Sequence, residues 1–199
     1  MNKKELEKIK QKALEEHIPI IMDDTLEVVD KILKEVKPKR ILEIGAAVGY
    51  SAMCFSEFLA DGGKIDTIER DDTRYQEAVV NIKDFHQEDN ITIYHEDALE
   101  FDDTLLNHAP YDCLFIDAAK AQYRRFFEKY CIHLNENGII VSDNMNFHGL
   151  VQHPELTQNR NTRQLVRKIH DYHTYLAELS DYETAFYDYG DGVAITRRK

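Results

Sequence analysis

Residues 41–51 constrain the fold of this chain more than any other stretch, because an apolar run there breaks at two glycines and then turns helical. The aliphatic residues at 41–44 predict a strand, and Gly45 and Gly49 predict a tight turn after it. The residues that follow Gly49 predict the start of a helix. A strand that leads through such a turn to a helix N-terminus is a common binding site for nucleotide-like ligands.

The spacing of the two glycines narrows the choice of ligand. A dinucleotide-binding turn needs the pattern Gly-x-Gly-x-x-Gly, which lets the backbone approach a pyrophosphate, whereas this chain has Ala47 at the inner position. A second predicted strand, residues 65–69, ends on Glu69, a carboxylate suitably placed to hold both hydroxyls of a ribose. An adenosine without a diphosphate indicates S-adenosylmethionine as the cofactor. The alternative is that Gly45 and Gly49 are only turn residues of an α/β fold.

The turn begins Glu43-x-Gly45, and this form resembles the first motif of class I methyltransferases. The resemblance implies that the backbone of the turn faces the amino acid part of the cofactor. It therefore favours cofactor binding over the purely structural alternative.

Length and composition indicate one domain, because 199 residues can bury a sizeable core without disulfides or a structural metal. We expect residues 1–36 to form an N-terminal helical segment that packs on this core. Cys54, Cys113 and Cys131 form no Cys-x-x-Cys pair, which indicates reduced thiols, and we do not expect zinc. No stretch has the apolar length of a signal peptide core or a membrane span, so we expect a cytoplasmic protein without membrane contact.

Segments of strand and helix character alternate along the chain, which is typical of a parallel sheet covered on both faces. Predicted strands lie near residues 40–44, 64–69, 91–95, 112–117 and 138–142. Predicted helices lie near residues 50–60, 73–86, 98–107, 122–133 and 161–178. Two more strands, 182–187 and 192–196, flank turn-rich residues and predict a hairpin. We expect an α/β fold with a doubly wound, Rossmann-like sheet of seven strands, which resembles the class I methyltransferase sheet in being mostly parallel with an antiparallel C-terminal hairpin strand.

Polar side chains follow the predicted strands at the edge of the sheet where ligands bind. Asp97 and Ala98 follow the third strand, Asp117 follows the fourth, and Asp143 and Asn144 follow the fifth. Two carboxylates and an amide oxygen from neighbouring strands favour a hard cation such as Mg²⁺. The alternative is that these acids cap the helices that come next.

The chain resembles the metal-dependent O-methyltransferases related to catechol O-methyltransferase and caffeoyl-coenzyme A O-methyltransferase. The matching residues are Glu43, Gly45, Gly49 and Ser51, the run Thr67 to Glu69, Tyr111 and Asp112, the run Ile116 to Lys120, Asp143 and Asn144, and Gly149. Within this group it looks most like bacterial tRNA 5-hydroxyuridine O-methyltransferases, on the residues 17–20, 116–123 and 190–195. Such proteins usually begin with an additional helical segment, and this chain has little before His17.

The resemblance implies a role for each candidate site residue. The implied cofactor contacts are Glu43, Gly45, Gly49, Ser51, Glu69, Asp97, Ala98 and Asp117. The implied Mg²⁺ ligands are Asp117, Asp143 and Asn144. Lys120 is similar in position to the catalytic lysine of the catechol enzymes and, with Asp117, makes up the implied catalytic pair. Tyr123, Met22 and Arg124 are candidate substrate contacts, although a core role for Met22 is the stronger interpretation.

The resemblance implies methylation of the 5-hydroxyl of 5-hydroxyuridine in tRNA, by a homodimer. The formal net charge of −12 argues against broad binding to polyanions but leaves room for a local basic patch. Candidate tRNA contacts are Arg124, Arg125, Arg160, Arg163, Arg167, Lys168, Arg197, Arg198 and Lys199. At helical spacing Arg160, Arg163 and Arg167 share one face, which either follows a phosphate backbone or is simply solvated. Tyr172 and Tyr175 are expected in the core.

Two other functions remain open from the sequence. A small catechol-like molecule offers the same two neighbouring oxygens as 5-hydroxyuridine, so the same metal chemistry serves either substrate. A catalytically silent nucleotide-binding module is the second alternative, and the metal-ligand pattern with Lys120 argues against it.

Overall fold

Alternating helices and strands build a doubly wound α/β fold in the computed structural model, which describes residues 3–199. The strands are Arg40–Ile44 (β1), Lys64–Glu69 (β2), Ile91–His95 (β3), Tyr111–Ile116 (β4), Leu134–Ser142 (β5), Tyr182–Tyr187 (β6) and Val193–Arg198 (β7). The helices are Lys3–Glu15 (α1), Asp23–Val36 (α2), Tyr50–Ser56 (α3), Asp72–Asp84 (α4), Tyr123–Tyr130 (α5) and Arg160–Glu178 (α6).

The seven strands form one sheet in the order β3-β2-β1-β4-β5-β7-β6. Strands β1 to β5 pair in parallel, while β7 lies antiparallel between β5 and β6. The predicted sheet class and its C-terminal hairpin are therefore confirmed. The strand order reverses between β1 and β4, and the carboxyl ends beside such a reversal form the usual ligand crevice of an open α/β sheet.

Alternating side chains of the strands divide the core into two layers, one on each face of the sheet. Ile41 and Phe115 belong to the layer that α1, α2 and α3 cover, and Leu42 and Leu114 belong to the layer beneath α5 and α6. The cysteines Cys54 and Cys113 are buried in the first layer. No helix within residues 3–199 combines the length and the apolar character that a bilayer crossing requires.

The helix predicted for residues 98–107 is wrong: only Asp103–Leu105 forms a short 3₁₀ turn there. Two observations explain the failure. Asp97 and Asp102 accept backbone N–H groups two residues ahead, which favours local turns over a helix. In addition, α5 occupies the carbonyls of this segment, because Lys129 donates to Leu99 and Phe101. Side chains from another element thus replace the hydrogen bonds of a helix.

The other elements agree with the predicted positions, with shifts at their ends. The helix predicted at 50–60 stops at Ser56, and the strand predicted at 138–142 already begins at Leu134. The helix predicted at 122–133 is α5 between two 3₁₀ turns. Residues 145–159 lack regular structure except for a 3₁₀ turn at Pro154–Leu156.

Substitution of Gly45 by alanine should destabilise the fold strongly. Gly45 has φ +101°, and an added Cβ would lie 2.1 Å from the carbonyl oxygen of Asp117. We expect Gly45→Ala to lower the free energy of unfolding by about 2–4 kcal/mol, from backbone strain and the clash together. Urea denaturation measures this change. Gly62→Ala is the matched control, because Gly62 also has positive φ but no atom within 4 Å of the added Cβ. Equal losses in the two variants would show that the contact with Asp117 is unimportant.

Candidate active site

The glycine turn lies at the reversal of strand order, wedged between the ends of β2 and β4. The Gly45 amide donates to the carbonyl of Ile68, and the Gly45 Cα faces the Asp117 backbone with no room for a side chain. Gly49 has φ +79° at the start of α3, a left-handed backbone conformation that favours glycine there. The turn therefore brings the ends of three strands together.

Glu69 closes this turn from the β2 side. Its Oε2 accepts the Ala47 amide at 2.8 Å, and its Oε1 accepts the amides of Arg70 and Asp71 at 2.9 and 2.8 Å. The side chain is 8% exposed. The carboxylate predicted to hold a ribose is thus fixed in direct contact with the glycine turn.

Glu43 lies beneath the turn and is fully buried. Its two carboxylate oxygens accept the hydroxyls of Ser51 and Thr67, each at 2.5 Å. Burial raises the pKa of Glu43 to about 7, although these two hydrogen bonds oppose the rise. The structure places Glu43 and Ser51 against each other, where they tie β1, β2 and α3 together. Sequence reasoning missed Thr67 as the third member, although its position opposite Glu43 follows from the strand register.

Asp97 and Ala98 form the β3 side of the crevice. Asp97 is half-buried, accepts the Leu99 amide through Oδ1, and lies 3.3 Å from the Arg70 guanidinium through Oδ2. Ala98 is buried, and its carbonyl accepts the Tyr130 hydroxyl at 2.6 Å. Arg70 is a neighbour that sequence reasoning missed.

The predicted metal ligands come together at the ends of β4 and β5. Asn144 donates from Nδ2 to Asp117 Oδ1 at 3.3 Å. Asp143 Oδ1 accepts the backbone N–H of Asn144 at 2.6 Å and the Thr25 hydroxyl at 3.2 Å. Neither carboxylate caps a helix, so the capping alternative is wrong for both. Thr25, from α2, had no signal in the sequence because it is 118 residues away from Asp143.

The chemistry of this group fits a hard cation. Asp143 is fully buried, and its Oδ2 has no hydrogen-bond partner within the described part of the chain. Burial, and next the charge of Asp117, raise the pKa of Asp143 to about 8, and the opposing charge of Lys120 does not cancel this rise. A rotation of the Asn144 amide would add a third oxygen. Among residues 3–199 no three His, Cys, Asp or Glu side chains gather in a metal-binding group. A cation held by Asp117 and Asp143 would therefore need the side-chain oxygen of Asn144 as its third protein ligand.

Lys120 and Tyr123 lie within electrostatic range of the two carboxylates. The Lys120 charge opposes the rise of pKa that burial causes at Asp117 and Asp143. Tyr123 is 1% exposed, and its hydroxyl is buried without a partner among the described residues. Burial, and then the charges of Asp117 and Asp143, raise the pKa of this hydroxyl. Tyr123 therefore keeps its proton available beside the site.

The remaining candidate substrate contacts are on the surface. Met22 is 55% exposed at the start of α2, so the core interpretation of this residue is wrong. Arg124 donates to Glu128 and stacks over the Tyr175 ring at 4.4 Å, which directs its guanidinium toward α6. Tyr172, in contrast, is buried as predicted.

The predicted basic residues are divided among three places. Arg160, Arg163 and Arg167 share one exposed face of α6 and together line a shallow depression. Arg125, on α5, donates to the side chain of Gln122 in the turn before this helix. The tail is tied to the sheet edge, since Arg198 donates to Tyr182 and Lys199 to the Ser180 carbonyl.

Comparisons with known proteins agree on one family. Residues 2–199 match the family described as O-methyltransferase. A caffeoyl-CoA O-methyltransferase from Stellaria longipes is 30% identical over 174 residues, which cover 84% of this chain and 71% of that protein. A solved structure from Staphylococcus aureus, provisionally named a caffeoyl-CoA O-methyltransferase, has a TM-score of 0.92 and 36% identity, covering 98% of this chain and 92% of its own. The S-adenosylhomocysteine-bound methyltransferase PaMTH1 of Podospora anserina has a TM-score of 0.79 and 26% identity, and the match covers 89% of this chain and 80% of that protein.

The buried Glu43 carboxyl should make folding stability depend on pH. Because its pKa is about 7 when folded and 4.5 in its ordinary state, the folded protein retains a proton that the unfolded chain has lost between these values. The stabilising contribution is complete below about pH 4.5 and disappears as the pH rises through 7, a change of about 3 kcal/mol. Glu43→Gln removes this titration. The free energy of unfolding of the variant, measured relative to that of the wild type at the same pH, should therefore rise by about 2–3 kcal/mol between pH 5 and pH 8.

Urea denaturation at both pH values, in buffer without divalent ions, measures the gain. Glu35→Gln removes an exposed carboxylate of α2 and is the control. If Glu43→Gln and Glu35→Gln follow the wild-type pH dependence equally, Glu43 is not a buried titrating group.

Proposed function

The chain belongs to the O-methyltransferase family of the caffeoyl-CoA O-methyltransferase type, and from this premise we propose a Mg²⁺-dependent methylation of one of two neighbouring oxygens on the substrate. The resemblance is thus confirmed at the level of the family: the protein is an S-adenosylmethionine-dependent O-methyltransferase of the caffeoyl-CoA O-methyltransferase type. The observation that supports metal dependence is the set of Asp117, Asp143 and Asn144 beside the glycine turn, with one buried carboxylate oxygen unpaired.

S-adenosylmethionine supplies the methyl group, and the proposed binding residues line the crevice at the reversal of strand order. The backbone of the turn at Gly45 would face the amino acid part of the cofactor. Glu69 would hold the ribose hydroxyls, since its carboxylate already lies against the turn. Asp97 and Ala98 would contact the adenine from the end of β3. Glu43 would support this arrangement from below through Ser51.

Asp117, Asp143 and Asn144 would hold Mg²⁺, which when bound would orient two neighbouring substrate oxygens and lower the pKa of the hydroxyl to be methylated. Thr25 would orient the Asp143 carboxylate through the hydrogen bond that it donates to Oδ1. This Oδ1 also accepts the Asn144 amide, so both contacts leave Oδ2 free. The free oxygen is the one expected to act as a ligand.

Lys120, in its neutral form, would accept the proton of the substrate hydroxyl at Nζ and become an ammonium. The ammonium interacts favourably with both Asp117 and Asp143, which supports its assignment to this site. Tyr123, whose hydroxyl has no hydrogen-bond partner among residues 3–199, would donate a hydrogen bond to a substrate oxygen. Methyl transfer between two correctly placed groups depends mainly on positioning, which these residues would provide.

For the substrate we propose 5-hydroxyuridine in tRNA. Its 5-hydroxyl and 4-carbonyl are neighbouring oxygens of the kind that the metal site requires, and the basic face of α6 offers contacts for phosphates. A small catechol-like molecule is the second candidate. The observation in its favour is that two relatives named caffeoyl-CoA O-methyltransferase are 30% and 28% identical to this chain.

Removal of the Asp143 carboxylate should separate catalysis from cofactor binding. We expect Asp143→Ala to lower Mg²⁺-stimulated turnover by at least about 100-fold, because the cation loses a ligand. The affinity for S-adenosylmethionine should change little, because the glycine turn and Glu69 remain. Transfer of labelled methyl with and without a chelator measures turnover, and calorimetric titration measures affinity. Asp61→Asn, exposed in the turn before β2, is the control. Full Mg²⁺-stimulated activity in Asp143→Ala would rule out the proposed metal site.

A side-by-side assay of tRNA and catechol decides between the two candidate substrates. Purified protein, labelled S-adenosylmethionine and Mg²⁺ are added to tRNA that carries unmethylated 5-hydroxyuridine and, in parallel, to a catechol. We expect methoxyuridine, identified by mass spectrometry of the digested tRNA, and a kcat/KM for tRNA that exceeds that for catechol. Methylation of catechol alone would reject tRNA as the substrate while leaving the O-methyltransferase chemistry intact.

A further inference from the structure

A surface groove of about 370 Å³ begins one residue past the proposed metal ligand Asn144. Its walls come from the loop after β5, from α6 and from β6, and include Met145, Asn146, His170, His173, Phe186 and Tyr187. The loop is fixed in place, because the amides of Met145 and Asn146 donate to the carbonyls of Gly192 and Asp191. The groove is therefore a built continuation of the active-site edge.

One wall of the groove is a flat aromatic stack. The rings of His173 and Phe186 lie 4.7 Å apart at an angle of 7°. His173 donates from Nε2 to the Met145 carbonyl at 2.9 Å, which fixes the plane of its ring. Phe186 nevertheless remains 42% exposed. A large apolar ring that is both oriented and open to solvent can receive another flat ring.

A row of three arginines leads along α6 toward this stack. Arg160, Arg163, Arg167 and His170 are spaced by three, four and three residues, so they lie on one helix face. The three arginines are exposed, and none of them pairs with a carboxylate within residues 3–199. His170 itself lines the groove.

The acidic member of the groove is already engaged. The Asp188 carboxylate accepts hydrogen bonds from Asn146 at 3.1 Å and from Gln152 at 3.5 Å. It therefore braces the groove walls, and its Oδ1 is directed at these two donors. The three arginines of α6, in contrast, have no carboxylate partner among residues 3–199.

We propose that this groove binds single-stranded RNA, with the nucleobase next to the methylated nucleotide stacked on Phe186 and the phosphates following Arg160, Arg163 and Arg167. Aromatic platforms combined with a cationic track are the usual way in which proteins bind single strands. This inference rests on the proposed tRNA function and assigns its substrate-recognition surface. A protein partner would be less well matched, because three arginines without carboxylate partners among residues 3–199, on the helix that carries His173 of the stack, complement a polyanion with flat bases.

Loss of the Phe186 ring should weaken binding of RNA. We expect Phe186→Ala to raise the Kd for a synthetic RNA stem-loop with 5-hydroxyuridine in its single-stranded loop about 5- to 150-fold, the range for loss of one stacked base. Phe186→Tyr keeps the flat ring and should bind within about twofold of the wild type, since tyrosine also stacks bases. Fluorescence anisotropy measures Kd. A thermal melt and a titration with S-adenosylmethionine show that each variant is folded.

Loss of one arginine should reduce the salt dependence of the same binding. Arg167→Ala should lower the slope of log Kd against log salt concentration by about 0.7, the value for one phosphate contact with a single strand. Lys8→Ala removes an exposed charge from α1, which packs on the other face of the sheet, and should leave the slope unchanged.

The outcomes separate this inference from the function on which it rests. If the wild type methylates hydroxyuridine in tRNA while Phe186→Ala binds RNA as tightly as the wild type, the groove is not the recognition surface and the inference is overturned alone. If Phe186→Ala changes only the sedimentation of the protein, the groove is an interface between two copies. If the wild type neither binds nor methylates tRNA, the tRNA function fails and the inference fails with it.

Discussion

The close approach of Gly45 to the Asp117 backbone is the constraint on which the active-site edge depends. A side chain at position 45 would meet the Asp117 carbonyl, so the turn after β1 can lie against the end of β4 only with glycine there. This contact places the methyl donor's proposed binding turn and the first proposed metal ligand on neighbouring strands at the reversal of strand order. The distance between cofactor and cation would then be fixed by sheet geometry rather than by flexible loops.

Two buried acids beside the glycine turn, Glu43 and Asp143, differ in how their carboxyl groups are stabilised. Glu43 is satisfied internally, because Ser51 and Thr67 each donate a hydroxyl to it. Asp143 is not satisfied, because Oδ2 has no partner among the described residues and Asp117 lies close by with the same charge. A buried carboxylate is tolerated when it is hydrogen-bonded or when it coordinates a cation. The contrast between the two acids thus separates a supporting residue from a proposed ligand.

The positions of the strands and of the polar residues at their ends could be predicted from sequence, because apolar runs are local and strand ends follow from them. Gly45, Glu69, Asp117 and Asp143 were found in this way. Contacts between distant segments could not be predicted: Thr25 reaches Asp143 from α2, and Lys129 takes the carbonyls that a helix at 98–107 would have used. The exposure of Met22 was missed for the same reason, since an apolar residue beside an apolar run gives no sign that the chain turns outward there.

The net charge of −12 and a nucleic acid substrate are compatible because the charges are unevenly distributed. Arg160, Arg163 and Arg167 project from one face of α6, and Arg124 is held near the same helix by Tyr175. The negative remainder of the surface would repel phosphates elsewhere, and at physiological ionic strength this repulsion extends over only about 8 Å. An acidic protein with one basic face would therefore bind an RNA strand at that face, in an orientation along the α6 axis. That orientation would direct the strand toward the groove beside Asn144, where its bases could stack.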